Sequence, residues 1–414
     1  MIRRHVTDYN LVLLALLLSL FGLAMVYSAG QTDAPSLVAG VYKKQFVWLL
    51  LGIAGMLLIS RASVRMLDWV TIPAYAVTIA LLIATLVIGT GAGTALSSKS
   101  WIGLGGFRLQ PAEFAKITVV LMLARTLASR REAPKSLLEL WQPAVMVLIP
   151  WLLIMLQPDL GTGIAFIGIF FAMLFWAGVS WPLLLLVASP GISLLLAGSD
   201  NLWGGWFILL IALIWYYRPY VFEGVALVLA NVAMGILAPT LWNRLSPYQQ
   251  KRLLTFLDPA ADPRGSSYHV LQSQTAIGSG GWFGQGFTDG SQKRLGYLPA
   301  QHTDFIHAVT GEELGFLGVT VVLTLFLVLF LRTTRIASRS NDAFSGLVAF
   351  GLTASWFVHV LVNVGMTLSL MPVTGIPLPF FSYGGSFMLA SWLTVGILLR
   401  ISSEGRGRAD ALVL

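Results

Sequence analysis

Two carboxylates in a polar stretch have the chemical type and the setting of a general base. Asp258 and Asp262 occur in the sequence DPAADPRG, where Arg264 and a glycine follow the second aspartate directly. Asp-Pro pairs commonly form turns, which is the simpler interpretation of each aspartate. A carboxylate beside a cation in an aromatic-rich segment can instead accept a proton from a substrate hydroxyl. One carboxylate of this segment, beside the cation, is therefore a candidate general base.

Further ionisable residues lie inside segments apolar enough to span a membrane. Glu113 and Lys116 are three residues apart on a predicted helix, so their side chains share one face. A charge within a span is costly and normally faces a cavity or a partner. The two side chains either neutralise each other or contact a substrate. Glu312 and Glu313 lie deeper in a later span, where we expect structural pairing.

Four predicted helices begin on the same side of the membrane, each after a polar or Pro/Gly-rich motif. These motifs are GLGGFRLQPAEFAK, QPDLGTG, PAQHTDF and PVTGIPLPFFSYGGS, and the helices begin near Pro111, Leu160, Thr303 and Gly384. Helix amino termini carry partial positive charge and unpaired N–H groups, so a cluster of them predicts a site for an anion such as phosphate. The alternative is ordinary capping, for example by Asp159.

The histidines near the third of these motifs do not indicate a metal centre. His302 and His307 lack the spacing of the zinc-binding HExxH motif, so we predict no metal ligands from spacing. Asp304 is interpreted as an acid at a helix amino terminus.

The elements that must position these residues are nearly all membrane-spanning. The chain has 414 residues, of which 57% are hydrophobic and 11% charged, with a mean hydropathy of +0.80. These values predict an all-α polytopic integral membrane protein with 10–12 transmembrane helices, twelve being favoured. The apolar runs lie near 10–28, 46–60, 69–90, 111–128, 141–156, 161–179, 182–199, 203–217, 220–239, 303–331, 343–368 and 380–400. Cysteine is absent, which excludes disulfides and thiolate chemistry.

The net charge of +8 is explained by orientation in the membrane. With both termini in the cytoplasm, the inside loops carry Arg3, Arg4, Arg61, Arg65, Arg130, Arg131, Lys135, Arg218, Arg332, Arg335, Arg339, Arg400, Arg406 and Arg408. This asymmetry follows the positive-inside rule and favours membrane insertion over binding to nucleic acid.

The longest polar stretch, residues 240–302, is then a large extracytoplasmic loop. Apolar and aromatic residues recur through it, so we expect it to pack rather than to form a solvated linker. Its basic residues favour an anionic ligand at this face; they are Arg244, Lys251, Arg252, Arg264, Lys293 and Arg294.

Five motifs of the chain occur in the order that is typical of one family of membrane proteins. They are WIGLGGFRLQPAEFAKI, QPDLGTGI, DPRGSSYHVLQSQTAIGSGG, HTDFIHAVTGEELG and NVGMTLSLMPVTGIPLPFFSYGGS. Together they resemble the SEDS family of shape, elongation, division and sporulation proteins over about residues 100–400. The MPVTGIPLPF form is more similar to the rod-shape members than to the division members.

The resemblance implies a single membrane domain over residues 1–414 that acts as an inner-membrane peptidoglycan glycosyltransferase. It would polymerise lipid II into a lipid-linked glycan strand at the outer leaflet, among membrane lipids. A class B penicillin-binding protein would be its transpeptidase partner, together with other elongation-complex proteins. The family's catalytic aspartate falls on Asp262 and its tryptophan ahead of the QPAE motif on Trp101. The other matching motif positions, predicted to bind substrate, are Glu113, Lys116, Asp159, His302, Asp304 and Ser382.

The resemblance also implies one departure from the family pattern. Members have about ten spans, with one between the QPDLGT helix and the large loop, whereas residues 180–240 here contain three apolar runs. Residues 200–240 are therefore predicted to be a two-helix insert that touches none of the motifs.

The implied chemistry agrees with the candidate residues. Joining a sugar hydroxyl to an anomeric carbon that bears a lipid pyrophosphate needs a base and charge stabilisation for the leaving group. A single inverting displacement needs one carboxylate, whereas a retaining glycosidase needs two. Asp262 would be the base, and Lys116 and Arg264 would bind the pyrophosphate. The sequence leaves open whether a divalent cation, Mg²⁺ or Mn²⁺, assists.

Two other classes of function stay open at this stage. A lipid II flippase or transporter would suit the intramembrane charges Glu113, Lys116 and Glu312. A non-enzymatic scaffold for a cell-wall synthase would use the large loop only as a docking surface.

Overall fold

The structure, a computed structural model, describes residues 8–33, 38–91, 99–105, 107–245, 247–257, 267–298 and 300–411. Within these ranges the protein is a bundle of helices with one short β-hairpin. Asp258, Asp262 and Arg264 lie outside the described residues. The roles predicted for these three residues therefore rest on the sequence.

A helix occupies each of the twelve predicted spans. These helices are α1 (Tyr9–Ala29), α2 (Val41–Ile59), α3 (Val64–Ile88), α4 (Pro111–Ala128), α5 (Trp141–Leu156), α6 (Leu160–Trp176), α7 (Trp181–Leu196), α8 (Asp200–Tyr217), α9 (Val221–Arg244), α13 (Ile306–Ser338), α14 (Ala343–Thr367) and α15 (Gly385–Ala411). The shorter elements are strands β1 (Ile102–Leu104) and β2 (Phe107–Leu109), a 3-10 turn (Leu138–Leu140), α10 (Pro247–Leu257), α11 (Tyr268–Ser279) and α12 (Ser291–Arg294).

Eight of the described helical segments are long and apolar enough to span a membrane: α1, α2, α3, α5 together with the 3-10 turn before it (Leu138–Leu156), α9, α13, α14 and α15. Helices α6 and α7 are apolar but shorter. Helix α4 carries Glu113, Lys116 and Arg125, and α8 begins with Asp200 and Asn201, which lowers the mean hydropathy of both. The predicted all-α polytopic membrane fold is confirmed.

Helices α14 and α15 form the centre of the bundle. About 72% of the apolar window of α14 and 83% of that of α15 is buried, compared with 22% for α3, α9 and α13. Helix α2 packs closely on α15 at Gly52, where an added Cβ would lie 2.9 Å from Cβ of Trp392. Lipid tails are as apolar as leucine, so helices in a membrane associate through such close packing of small residues.

Helices α7, α8 and α9 are joined by a buried polar network. The amide of Asn231 on α9 donates to Oγ of Ser189 on α7 at 2.9 Å and accepts from Nε1 of Trp206 on α8 at 3.3 Å. Trp203 Nε1 donates to Oγ of Ser193 at 2.7 Å. Hydrogen bonds between spans stabilise their association where no water competes. That α8 and α9 are an insert relative to the family stays a prediction.

The described part of the large loop packs against the bundle, as predicted. Val270, Ala276 and Leu298 are buried, although they lie between spans. Helix α9 continues to Arg244, so the loop begins a few residues later than the sequence indicated.

The same loop supplies hydrogen-bond acceptors at a break in α13. Gly315 has φ 63° and interrupts the helix, so residues beyond it lose their usual acceptors. The N–H of Phe316 donates instead to the carbonyl of Gly281 at 2.9 Å, and that of Leu317 to the carbonyl of Trp282 at 3.2 Å. The loop backbone therefore takes the place of one turn of helix.

A buried ion pair fixes the loop to two spans. Nζ of Lys293 on α12 contacts Oε1 of Glu313 at 2.5 Å and Oγ of Ser28 on α1 at 3.1 Å, and neither charged side chain is exposed. Glu312 accepts the N–H groups of Gln292 and Lys293 at 2.6 and 3.3 Å. The predicted structural pairing is confirmed for Glu313, whereas Glu312 is held by backbone N–H groups of the loop. Lys293 does not belong with the basic residues predicted to face an anionic ligand, because its ammonium is enclosed.

Candidate functional site

The connection between α14 and α15, residues 368–384, is where the predicted helix starts meet. The N–H that precedes α4, of Gln110, donates to Oγ of Ser386 in α15 at 3.0 Å. Helix α6 packs so closely here that a Cβ on Gly161 would lie 2.6 Å from the carbonyl of Thr374. The amide of Asn363 on α14 donates to the carbonyls of Asp304 and Ile376, at 2.9 and 2.7 Å. This loop is therefore the place where the starts of α4, α6 and α15 and the residues before α13 lie close together.

Glu113 and Lys116 form a salt bridge under this loop. Nζ of Lys116 is 2.7 Å from Oε2 of Glu113, and both side chains are 3% exposed. The ammonium is also 2.7 Å from Nε2 of His359 on α14 and lies 4.7 Å from the ring centre of Phe387 on α15. Mutual neutralisation, one of the two predicted alternatives, is part of the arrangement, but the pair has further partners on two other helices.

A small cavity is lined in part by Lys116. It has room for about one water molecule and is lined by Glu113, Lys116, Ser355, Ser391 and Thr394 with apolar side chains between them. The Ser391 hydroxyl is buried and has no hydrogen-bond partner among the described residues. A polar lining of this kind can hold water or a ligand oxygen.

Asp159 caps α6 and also reaches α4. Its Oδ1 accepts the N–H of Thr162 at 3.0 Å, which is the capping role considered from the sequence. Its Oδ2 accepts from Nε2 of Gln110 at 3.2 Å. The cap therefore links the QPAE and QPDLGT motifs, which lie in different helices.

Asp304 belongs to the same electrostatic cluster. Burial raises the pKa of Asp304 to about 6, while the Arg252 guanidinium lowers it and the Asp159 carboxylate raises it. Its Oδ2 lies beside Gly375 of the 368–384 loop, where an added Cβ would be 3.3 Å away. Asp304 lies at the amino terminus of α13, one residue before the N-cap Phe305, and this helix start has no side-chain capping hydrogen bond.

His302 and Ser382 lie at the other side of the loop. Burial lowers the pKa of His302 to about 4, so its ring is neutral near pH 7. The ring lies 5.6 Å from that of Tyr383, whose N–H donates to the His302 carbonyl at 2.9 Å. Oγ of Ser382 accepts the N–H of Leu378 at 2.9 Å, so it holds the shape of the loop.

Trp101 opens the β-hairpin that precedes α4. Its backbone pairs with that of Thr90, and its side chain is half-buried. The hairpin strands pair antiparallel, with Ile102 opposite Leu109. Ser386 donates to the carbonyl of Arg108 at 3.3 Å, so the hairpin lies against the start of α15. The structure therefore brings the hairpin of Trp101 to the same end of the bundle as Lys116.

Two residues were missed as site residues by the analysis of the sequence. His359 is a lone ionisable residue within an apolar span, and that alone is a signal of function. Arg252 was noted only as a loop cation, and no local pattern relates it to Asp304. Among the described residues no group of three or more His, Asp or Glu side chains has the arrangement of a metal site.

The chain is similar to known proteins over nearly all of its length. A family model described as the FtsW, RodA and SpoVE cell cycle proteins matches residues 8–203 and 205–407. The peptidoglycan glycosyltransferase RodA of Treponema pallidum is 36% identical, with 96% of this chain and 98% of that protein covered.

The fold is also similar to that of solved structures. One, described as structural coordination of polymerization and crosslinking by a peptidoglycan synthase complex, contains a chain with 28% identity and a TM-score of 0.71, covering 96% of this chain and 98% of that one. The crystal structure of the rod shape determining protein RodA of Thermus thermophilus has 26% identity and a TM-score of 0.62, with 96% and 97% covered.

Proposed function

Because the chain belongs to the SEDS family of FtsW, RodA and SpoVE cell cycle proteins, we propose that it is the peptidoglycan glycosyltransferase that polymerises lipid II during cell elongation. It is a multi-pass protein of the bacterial cytoplasmic membrane. The observation that carries the polymerase assignment is the cluster of Lys116, Asp159, Arg252 and Asp304 around one loop at the ends of several spans.

This cluster has the properties that a lipid pyrophosphate site requires. Cations and helix amino termini stabilise phosphate, and their effect is large where water is excluded. Lys116 supplies a buried ammonium, and Arg252 supplies a guanidinium near the carboxylate of Asp304. A groove between helices would admit the prenyl chains. Trp101, Glu113, Asp159, His302 and Ser382 would shape the surroundings of the sugar and the pyrophosphate.

We infer a single inverting displacement with Asp262 as the base. Asp262 takes the proton of the acceptor hydroxyl, the hydroxyl oxygen bonds to the anomeric carbon, and the bond to the lipid pyrophosphate breaks. Lys116 and Arg264 would stabilise the negative charge of the departing pyrophosphate. Only one carboxylate is needed for this reaction, unlike for retaining hydrolysis.

The distribution of basic residues supports an orientation with both termini in the cytoplasm and the cluster at the outer face. Short loops at the opposite end of the bundle carry most of the arginines. An outer site suits a lipid-linked substrate and a transpeptidase partner, for which we propose a class B penicillin-binding protein. The similarity to a chain from a peptidoglycan synthase complex supports such a partner.

The test is polymerisation of lipid II by the purified protein in liposomes. We expect glycan polymer from the unaltered protein and none from Asp262→Ala, since loss of the base removes the chemical step. Asp258→Ala is the matched control, because it alters the neighbouring Asp-Pro pair and should keep most of the activity. Equal activities of the two variants would contradict the assignment of the base.

The same liposomes distinguish the alternatives. A flippase would move labelled lipid II between leaflets without forming polymer, and a scaffold would do neither. The polymerase assignment requires polymer without added synthase, or with a partner whose own glycosyltransferase activity is absent.

A further inference from the structure

The contacts of His359 determine which of its ring nitrogens carries hydrogen. Nδ1 lies 3.0 Å from the carbonyl oxygen of Pro377, and a carbonyl can only accept, so Nδ1 must donate. Nε2 lies 2.7 Å from Nζ of Lys116, which can only donate while charged. The ring is therefore neutral, with its lone pair on Nε2 directed at the ammonium.

The Lys116 ammonium keeps one donor for another partner. Nε2 of His359 accepts one of its three N–H groups at 2.7 Å, and the Glu113 carboxylate forms an ion pair with Nζ at the same distance. The ring of Phe387 lies on a further side and attracts the charge without taking a hydrogen bond. Lys116 also lines the water-sized cavity, where the buried Ser391 hydroxyl lacks a partner among the described residues, so an N–H group remains for an acceptor placed there. The ammonium therefore has a fixed position but still has an N–H group available for a further acceptor.

His359 also connects Lys116 to the loop that the spans share. Pro377, its second partner, follows Ile376, whose carbonyl is held by Asn363. Asn363 holds the carbonyl of Asp304 as well. A shift of the loop would therefore move the ring of His359, and with it the acceptor that fixes the direction of the Lys116 ammonium.

From this geometry we propose that His359 is a positioning residue for the glycosyl transfer. Its neutral ring fixes the position of the Lys116 ammonium relative to the 368–384 loop. The remaining N–H of the ammonium then meets an oxygen of the departing pyrophosphate. The contact is a hydrogen bond that strengthens as negative charge develops on that oxygen, and no proton is transferred through His359. This inference rests on the proposed polymerase function.

Two amide substitutions at His359 each keep one contact of the ring and remove the other. The Asn side chain places its Nδ2 near the position of His Nδ1, so His359→Asn keeps a donor for Pro377 and loses the acceptor for Lys116. The Gln side chain extends to the position of Nε2, so His359→Gln keeps an acceptor for Lys116 and loses the donor for Pro377. Both amides are uncharged and similar in polarity, which makes each the control for the other.

The measurement is kcat and KM for lipid II polymerisation, with the unfolding temperature of each variant. We expect His359→Gln to stay within about 3-fold of the unaltered kcat. We expect His359→Asn to lose up to about 100-fold in kcat with a smaller change in KM, as for a group misplaced by about 1 Å. A greater loss for Gln than for Asn would mean that the ring serves only to tether the loop, and equal kcat values would also overturn the proposal.

The unaltered protein offers a second measurement that does not depend on the folding of a variant. Histidine ¹⁵N NMR should show hydrogen on Nδ1 of His359, and added undecaprenyl pyrophosphate should shift the Nε2 resonance. A ring protonated on Nε2, or an Nε2 resonance unchanged at saturating pyrophosphate, overturns the proposal. Failure of the proposed function gives a different result, because the unaltered protein would then form no polymer.

Discussion

The protein buries two Lys–Glu pairs that differ in how completely the lysine is hydrogen-bonded. Lys293 Nζ has three acceptors: Oε1 of Glu313 at 2.5 Å, the Thr288 carbonyl at 2.9 Å and Oγ of Ser28 at 3.1 Å. The Lys116 ammonium has one hydrogen-bond acceptor, His359, together with the paired Glu113 carboxylate and an aromatic ring, and the side chain lines a small cavity. Both pairs are almost completely buried.

The difference predicts that Lys293–Glu313 is a structural pair and that Lys116–Glu113 has a role in activity. A buried ammonium with all three donors satisfied contributes to the fold and has no capacity for a ligand. A buried ammonium with an open donor retains part of its desolvation cost, and a ligand that supplies an acceptor removes it. We therefore expect changes at Lys293 to affect stability first, and changes at Lys116 to affect activity first.

The largest effect is expected from Lys293→Met. Among the described residues, the substitution leaves Ser28 as the one side chain that donates to the buried Glu313 carboxylate. Breaking a buried pair in this way costs about 3–5 kcal/mol. The purified variant should show a strongly lowered unfolding temperature or a low yield. Lys293→Met combined with Glu313→Gln removes both charges and should regain most of the stability together with polymerase activity. A single variant as stable as the unaltered protein would contradict the structural role.

The next largest effect is expected from Lys116→Met combined with Glu113→Gln. Removal of both charges leaves no unpaired ion in the membrane, so the unfolding temperature should stay near that of the unaltered protein. Polymerisation should fall by about 100-fold or more, which is typical of losing a donor that stabilises developing negative charge. The assay is glycan polymer formed from lipid II in liposomes. Full activity of this double variant would show that Lys116 only neutralises Glu113.

A smaller effect is expected from the ionisation of Asp304. Because the pKa of Asp304 is raised by burial to about 6, its carboxylate is ionised above that pH and can hold Arg252. Polymerisation should therefore rise with pH through about 6, and Asp304→Asn should remove this inflection. An inflection that persists unchanged in Asp304→Asn would assign it to another group.

Stability should respond to the same ionisation in the opposite direction. The folded protein keeps the Asp304 proton up to about pH 6, whereas the unfolded chain releases it near 3.8. The folded state then binds more protons in this window, so the contribution of Asp304 to stability falls as the pH rises from 3.8 to 6. Unfolding temperatures of the unaltered protein and of Asp304→Asn across this range would measure the difference.

Much of the fold could be predicted because each membrane span corresponds to a continuous apolar run in the sequence. A membrane crossing needs about 20 consecutive apolar residues, so hydropathy alone located the helices, including α8 and α9. The cap at Asp159 is also a local feature, since its acceptor and the N–H of Thr162 lie three positions apart. The break at Gly315 had no comparable signal, because its backbone partners lie in the loop that contains Gly281 and Trp282.

For the candidate site, the sequence identified Glu113 and Lys116 as neighbours on one helix face, since helical periodicity brings residues three apart together. Composition likewise determined the membrane class, and the loop charges predict an orientation with both termini in the cytoplasm. Only the tertiary structure decided which charged side chains have a full set of hydrogen-bond partners. It enclosed Lys293 between α1 and α13, and it placed His359, 243 positions from Lys116 in the chain, at hydrogen-bonding distance. Such contacts depend on how the helices pack, and no local pattern of residues specifies that packing.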